Sequence, residues 1–556
     1  MTAFFIQKGL AALKDEDRAE TWYGDWIAYQ AQHELYARLL SPKEYSQLDS
    51  GFDLLRYARF LEVMGYFSPA HGYSLQVTFL GLTAILAAPN TALKREAVRA
   101  LEAGGLLAFG VSEQGHGSDL LGNEFTVAEA GTGRFVGCGT KYYIGNANVA
   151  AIIAILGQKK RPGKVEHGRR VPVLFAFRPL KTDPLEGPRK VRTLGVRAAF
   201  VGDFAVKNHE FPAADLIAEG REAWDSVFSA VTLGKFFLGF GSIGICEHAF
   251  AEASAHLSAR VLYGRPATEM PHLRATLVHA YARLTAMKLY AYRALDYLHS
   301  ASAADRRYLL FAAVQKAKVS TEGVKVMSML SECIGARGFE SETYFEMALR
   351  DVQLIPGLEG STHINLGLVT QFMPRYFAIP DSGLIQPPSL VGGEIASEEN
   401  AYLWNARTTD TKAVSFPDYL QAYRPLMSIA NVRLFAKATK AFEILVRSQE
   451  MQARGRADSP KTLALGECLA TIAFGQLIAE NAVRLRLERP LIAVIFQSLM
   501  QDWNAAALTL ATACEPDEIP AALFRRMVAV PRITADEYDF VAQHWAATSE
   551  SNRRAK

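Results

Sequence analysis

Gly105-Leu-Leu-Ala-Phe109-Gly110-Val111-Ser112-Glu113-Gln114-Gly115-His116-Gly117-Ser118-Asp119 begins as an apolar run and ends as a polar, glycine-studded loop. Backbone N–H groups in such a turn can donate to a polar heterocycle or a phosphate. Ser112 and Ser118 add hydroxyl donors, and Gly115 and Gly117 let the main chain come close to a planar ligand. Glycine-rich turns also punctuate ordinary β proteins. The loop therefore takes its meaning from what flanks it.

Upstream, residues 1–105 read as helical. Leu54, Leu55, Phe60, Leu61 and Met64 recur near helical spacing, and a longer apolar stretch runs from Leu75 to Leu86. Pro89-Asn90 breaks it, and Asn90 can cap a helix carrying Leu93, Val98 and Leu101. Downstream, residues 106–221 carry frequent glycines and short Val-, Phe-, Tyr- and Ile-rich runs: 125–127, 142–144, 152–156, 173–177 and 200–206. Turn residues separate these runs, which predicts a small β domain. The basic segment 157–170 reads as a solvated loop.

Helical texture returns over 222–375. Leu273, Leu277, Tyr281, Leu284 and Met287 mark one face of a long helix. Further helices are expected over 291–300, 305–334 and 363–372. Residues 374–416, with Pro380, Pro387-Pro388 and Gly392-Gly393, read as an irregular connector. Beyond it, Ile429, Val432, Phe435, Ala438, Phe442 and Leu445 open a final helical block, with helices near 461–488, 491–513 and 518–530.

The bulk numbers set bounds. A chain of 556 residues is too long for one ordinary core, so three or four domains are expected. Half of it is hydrophobic, and the net charge is only +3, which gives no argument for nucleic acid. Five scattered cysteines imply neither a disulfide framework nor a metal site, and read as buried free thiols. No run of continuous apolar residues is long enough for a membrane span, the first residues do not form a signal h-region, and the cytoplasm is the expected location.

Four further clusters carry chemistry. Gly139-Thr-Lys141-Tyr142-Tyr143-Ile144-Gly145-Asn146-Ala-Asn148 follows the opening loop. In Ser258-Ala-Arg260-Val-Leu-Tyr263-Gly264-Arg265-Pro266, two guanidinium groups suited to phosphate flank a Tyr-Gly turn; a solvated basic loop is the plainer reading. Glu332-Cys-Ile-Gly335-Ala336-Arg337-Gly338-Phe339 contains a glycine suited to capping a helix C-terminus. Arg350-Asp351-Val-Gln-Leu-Ile-Pro356-Gly357-Leu358-Glu359-Gly360-Ser361-Thr362-His363 sets a lone carboxylate in a small turn. Taken alone, that carboxylate reads as a group favouring a helix N-terminus.

In this order the elements resemble the acyl-CoA dehydrogenase and acyl-CoA oxidase superfamily of flavoproteins, over residues 50–375. The family's motifs read approximately TExGxGSD, GxKxWITNxxxA, RxxFG, QxxGGxG and RDxxxxxIYEGTxxI. The resemblance implies a mainly α fold with a β domain: a helical bundle (1–105), a small β-barrel-like domain (106–221), a helical bundle with the catalytic base (222–375), and a linker with an extra C-terminal helical domain (376–556). It implies FAD as cofactor. Phe109, Val111, Ser112 and Gly117 then line the flavin, and Ser118 lies near phosphates of cofactor or substrate. Tyr143 takes the place of a Trp packed on the ring. Gly145 replaces a Thr or Ser that bonds to it. Arg260, Tyr263, Glu332, Gly335 and Gly338 reach the cofactor of a neighbouring subunit, while Ser361 and His363 complete the cofactor set. Ser118, Lys235 and Gly360 are expected at the substrate.

Glu359 is the implied base. Some family members carry the base on an earlier helix, at a position that falls near Gly234 here, so no rival carboxylate is evident. The implied reaction is α,β-dehydrogenation of an acyl-CoA to the trans-2-enoyl thioester, with electrons passing to an electron-transfer flavoprotein and a homodimer or homotetramer as the assembly. Three alternatives stand beside it: an oxidase using O2, to which His116-Gly117-Ser118 and the C-terminal block lean; a dehydrogenase of an acyl group on a carrier protein; and a helical scaffold without flavin.

Overall fold

The computed structural model describes all residues except 50, 160–169, 180–184, 379–380, 382, 406–410, 449–458, 516 and 555–556. Most of the basic segment 157–170 and parts of the 374–416 connector lie outside the described residues.

Six helices come first: α1 (Thr2–Ala19), α2 (Gly24–Gln32), α3 (Leu35–Leu40), α4 (Leu54–Phe67), α5 (Pro69–Leu86) and α6 (Thr91–Glu102). Asn90 caps α6 as expected, accepting from Leu93 N at 3.2 Å. Helix α5 is buried along nearly all its length, which explains why its apolar residues run around every face instead of forming a stripe.

The strands are β1 (Leu106–Gly110), β2 (Thr126–Glu129), β3 (Arg134–Gly145), β4 (Ala150–Lys159), β5 (Val171–Phe177), β6 (Leu185–Lys190), β7 (Val201–Pro212) and β8 (Leu216–Glu219). They form one mixed sheet in the order β6-β7-β3-β2-β4-β5-β8, with β1 parallel to β4. Phe125, Phe175, Phe204 and Phe211 fill its core, and the Phe175 and Phe211 rings stack at 4.4 Å.

Helix α7 (Arg221–Ala259) follows, then a β9 (Val261–Leu262)–β10 (Arg265–Pro266) hairpin and α8 (Pro271–His299). The two helices expected over 273–287 and 291–300 are this single α8, since nothing between them breaks the period. The helix expected over 305–334 is α9 (Tyr308–Val314), a π turn (Gln315–Val319) and α10 (Ser320–Ile334). Then come α11 (Tyr344–Leu354), α12 (Thr362–Thr370), α13 (Met373–Tyr376), α14 (Ala430–Arg447), α15 (Pro460–Arg484), α16 (Arg489–Ala513), α17 (Ala521–Met527) and α18 (Ala535–Arg554). The described connector residues hold only 3-10 turns and the short α13.

By contacts the chain forms two compact units: Met1–Phe237 with 301–304 and 397–410, and Leu238–Ser300 with 305–396 and 411–556. The C-terminal helices thus share a unit with α8–α13, so the boundary expected near 376 is not a seam in the packing. Buried charge explains this within the second unit. Arg293 on α8 is fully buried and bonds Glu480 on α15 and Asp296, each at 2.8 Å. Arg283 bonds Glu322 of α10 at 2.6 Å and Asp502 of α16 at 2.8 Å.

Helices α7 and α15 are long and apolar enough to cross a bilayer by composition, yet 72 % and 89 % of their apolar windows are buried inside the protein, which marks them as core helices. Of the five free cysteines, Cys246, Cys333 and Cys468 are buried as expected; Cys138 is exposed on β3, because its side chain falls on the outer face of the pleat.

Candidate active site

In the first unit, β1 runs into the 111–119 loop, and β3 lies beside that loop. Ser112 Oγ donates to Tyr142 O at 2.7 Å, and Tyr142 N donates to Ser112 O at 3.0 Å. The hydroxyl proton expected to face a ligand is therefore used inside the protein. Beneath the loop lies a brace that sequence reasoning passed over. Lys141 Nζ donates to Glu113 Oε1 at 2.9 Å and to Val111 O at 3.3 Å. Glu113 also accepts from Glu124 N at 2.7 Å and Phe125 N at 3.0 Å. Burial opposes ionisation of Glu113, but Lys141 and the two N–H donors outweigh it and hold the carboxyl below its usual range; burial pulls the Lys141 ammonium down to about 8. The only sequence signal for this pair was a Glu and a Lys inside two motifs.

Val111 is buried, Phe109 half-buried, and Gly117 and Ser118 exposed. Neither Gly115 nor Gly117 has a positive φ, and a Cβ on either would meet nothing within 4 Å. The fold itself does not demand glycine there, which fits a group lying against the loop from outside. Tyr143 fits the same picture. A bulge in the β3–β7 pairing places it at φ +63, unusual for a bulky residue, and leaves the ring 57 % exposed.

Gly145 has a different cause. A Cβ there would lie 2.6 Å from Val77 Cγ2, 2.7 Å from Tyr73 Cε1 and 3.1 Å from the Tyr73 hydroxyl. Two side chains of α5 occupy the space that a Thr or Ser would use. Asn146, also missed, is fully buried and donates to Ser74 O, Thr78 Oγ1 and Leu107 O, fastening α5 to the strands.

Early on α7, Gln76 Nε2 donates to Gly234 O at 2.7 Å, and a Cβ at Gly234 would collide with Leu80 Cδ2. A side chain at this position would have to push the end of Leu80 aside. The neighbouring Lys235 is buried at 5 % exposure.

In the second unit, Tyr263 (φ +51) and Gly264 (φ +82) turn the β9–β10 hairpin with two consecutive positive φ angles, as a type I′ turn requires. Arg260 is exposed, and Tyr263 is 98 % exposed. Gly335 ends α10 at φ +62, as its capping reading implied; Glu332 is exposed and Gly338 buried. Burial lowers the pKa of His256, with Arg337 and Arg260 adding to the effect, so the two guanidinium groups act on one locus.

Helix α11 leads through a 3-10 turn (Ile355–Gly357) to Glu359 at φ +50 and Gly360 at φ +87. Glu359 is half-buried and His363 exposed. Ser361 caps α12, accepting from Ile364 N at 3.4 Å. Among the described residues no group of three or more His, Cys, Asp or Glu could hold a metal ion.

Residues 223–373 match the family described as "Acyl-CoA dehydrogenase, C-terminal domain". Over that segment the chain is similar to acyl-CoA dehydrogenases. The cyclohexane-1-carbonyl-CoA dehydrogenase of Geobacter metallireducens is 24 % identical over 273 residues, 49 % of this chain and 69 % of that protein. An acyl-CoA dehydrogenase from Bacillus anthracis, crystallised with FAD, superposes with a TM-score of 0.75 at 17 % identity, over 98 % of this chain and 93 % of that one. The prolyl acyl carrier protein oxidase AnaB superposes at 0.56 and 19 % identity, over 67 % of this chain and 97 % of that one. At these identities the structures carry the fold, with helical bundles, sheet domain and C-terminal helices in the expected order.

Proposed function

We propose that this protein is an FAD-dependent oxidoreductase of the acyl-CoA dehydrogenase superfamily that removes hydrogens from Cα and Cβ of an acyl thioester, with Glu359 as the base at Cα. The observation that carries the reading is Glu359 itself: a half-buried carboxylate in left-handed backbone within the matched domain, beside Gly360 and the capped start of α12. A non-glycine residue at φ +50 costs of order 1 kcal/mol and persists where a side chain must be aimed. The α-proton of a thioester is a weak acid, so proton transfer needs a base placed at Cα and donors placed for the enolate oxygen. Gly360 leaves room for the thioester to approach the main chain.

The residues of the first unit fit FAD. The open Gly115 and Gly117 and the exposed Tyr143 offer a surface for a flat ring, and Val111 and Phe109 its apolar backing. Bound there, FAD would supply the acceptor for the hydride leaving Cβ. Arg260 and Arg337 would serve phosphate at an interface with a second copy, where Arg337 offsets the exposed Glu332. That residue 234 is a glycine crowded by Leu80, and carries no carboxylate, supports Glu359 against the earlier-helix position.

Glu359→Gln is expected to keep FAD, seen as unchanged visible absorbance after gel filtration, while turnover of acyl-CoA substrates falls about a thousandfold or more. Turnover within a few fold of the parent would remove Glu359 as the base. The thioester is read as an acyl-CoA, with a carrier-bound acyl group as the alternative; trials of both forms separate them. Hydrogen peroxide release under air, set against reduction of an artificial acceptor, separates oxidase from dehydrogenase.

A further inference from the structure

Two buried side chains grip the Glu359 loop at its two ends. On the N-terminal side, Lys316 lies in the π turn Gln315–Val319, is fully buried, and donates from Nζ to Pro356 O at 2.9 Å. On the C-terminal side, Asn365 is 1 % exposed and donates from Nδ2 to both Gly360 O and Ser361 O at 3.0 Å. Between them stand the two consecutive positive-φ residues, Glu359 and Gly360. Leu358 N closes the inner turn on Ile355 O at 3.2 Å.

The chemistry of the grip argues for a purpose. A buried ammonium is costly to desolvate, and an aliphatic side chain would fill the same space without that cost. A π turn inserts one extra residue into a helix and re-aims the side chains on it, and such turns concentrate at functional sites. Here the re-aimed side chain meets the carbonyl three residues before Glu359. A left-handed glutamate relaxes unless its surroundings fix it. Lys316 and Asn365 fix both flanks of it.

We propose that Lys316 and Asn365 are positioning residues for Glu359: together they hold the loop 356–361 in the strained form that aims the carboxylate. The proposal rests on the reading of Glu359 as base, and its test keeps the two apart. Lys316→Met retains the stem and removes the donor; Asn365→Ala is the parallel variant should the first not fold. Each is expected to keep FAD content and KM near the parent's and to lower kcat about 10- to 100-fold, the scale of a displacement near 1 Å. Amide hydrogen exchange over 355–366, measured on the protein itself, should quicken about tenfold or more while other segments stay unchanged. In a Glu359→Gln background Lys316→Met should take nothing further from the residual rate.

Unchanged exchange over 355–366 would overturn the tether. Faster exchange with an unchanged kcat would overturn the positioning role, as would an equal loss in the Glu359→Gln background. Full activity of Glu359→Gln alone would sink the base assignment while leaving the exchange result standing.

Discussion

At position 145 a one-atom side chain decides how the sheet meets helix α5. Val77 and Tyr73 come so close that any Cβ is crowded. Gly145→Ser should therefore destabilise the protein by about 1–3 kcal/mol, the usual range for overpacking, read as a lower melting temperature; an unchanged or higher melting temperature would show that the helix gives way freely. From the sequence this glycine was a departure from a motif, and only the neighbours on α5, which the motif does not contain, explain it. The same limit hid Asn146, Lys316 and Asn365. Each works through backbone carbonyls, far away in sequence for Asn146 and Lys316, and a carbonyl leaves no residue type to recognise. Glu359 could be proposed from the sequence because the resemblance ties it to a local frame, Arg350 to Ser361.

At the scale of elements, periodicity found most helices, and Val-, Phe-, Tyr- and Ile-rich runs between turn residues marked β2, β3, β4, β5 and β7. It failed where the backbone changed without a change of pattern. Residues 305–334 keep an apolar period straight through the π turn, so one helix was expected where three segments stand. The β1 loop and β3 show the converse, two motifs joined by a buried ion pair that neither motif reveals. Lys141→Met leaves Glu113 with its two N–H donors but no counter-charge. Removing one partner of a buried pair costs about 3–5 kcal/mol, so chemical denaturation of this variant should show a loss of that order. A loss below about 1 kcal/mol would mean that the amides alone satisfy the carboxylate.

At the scale of the molecule, length led to an expectation of three or four domains, whereas contacts divide the chain into two units, and the sequence did not say which helices would share a core. The C-terminal helices join α8 and α10 through buried charges, and those charges should make the second unit sensitive to acid. Burial opposes ionisation of Asp502, yet the Arg283 guanidinium, with Lys325 and Lys318 behind it, pulls its pKa down to about 2. Its folded value lies below the ordinary 3.8. Its contribution to stability is therefore complete above about pH 4 and fades as pH falls toward 2. Asp502→Asn should cost stability at pH 6 and progressively less below pH 4, followed by equilibrium unfolding across that range. A cost that stays constant down to pH 2 would contradict the ion-pair account.

The contact between Leu80 and Gly234 bears on the choice of position for the base. On the reading of Glu359 as base, a base carried instead at 234 would have to displace the end of the Leu80 side chain, which crowds the place where a Cβ would stand. Shrinking Leu80 to make that room would open a cavity in a core helix, at a cost in stability. Residue 80, which takes no part in the chemistry, thus weighs on where a base can be carried.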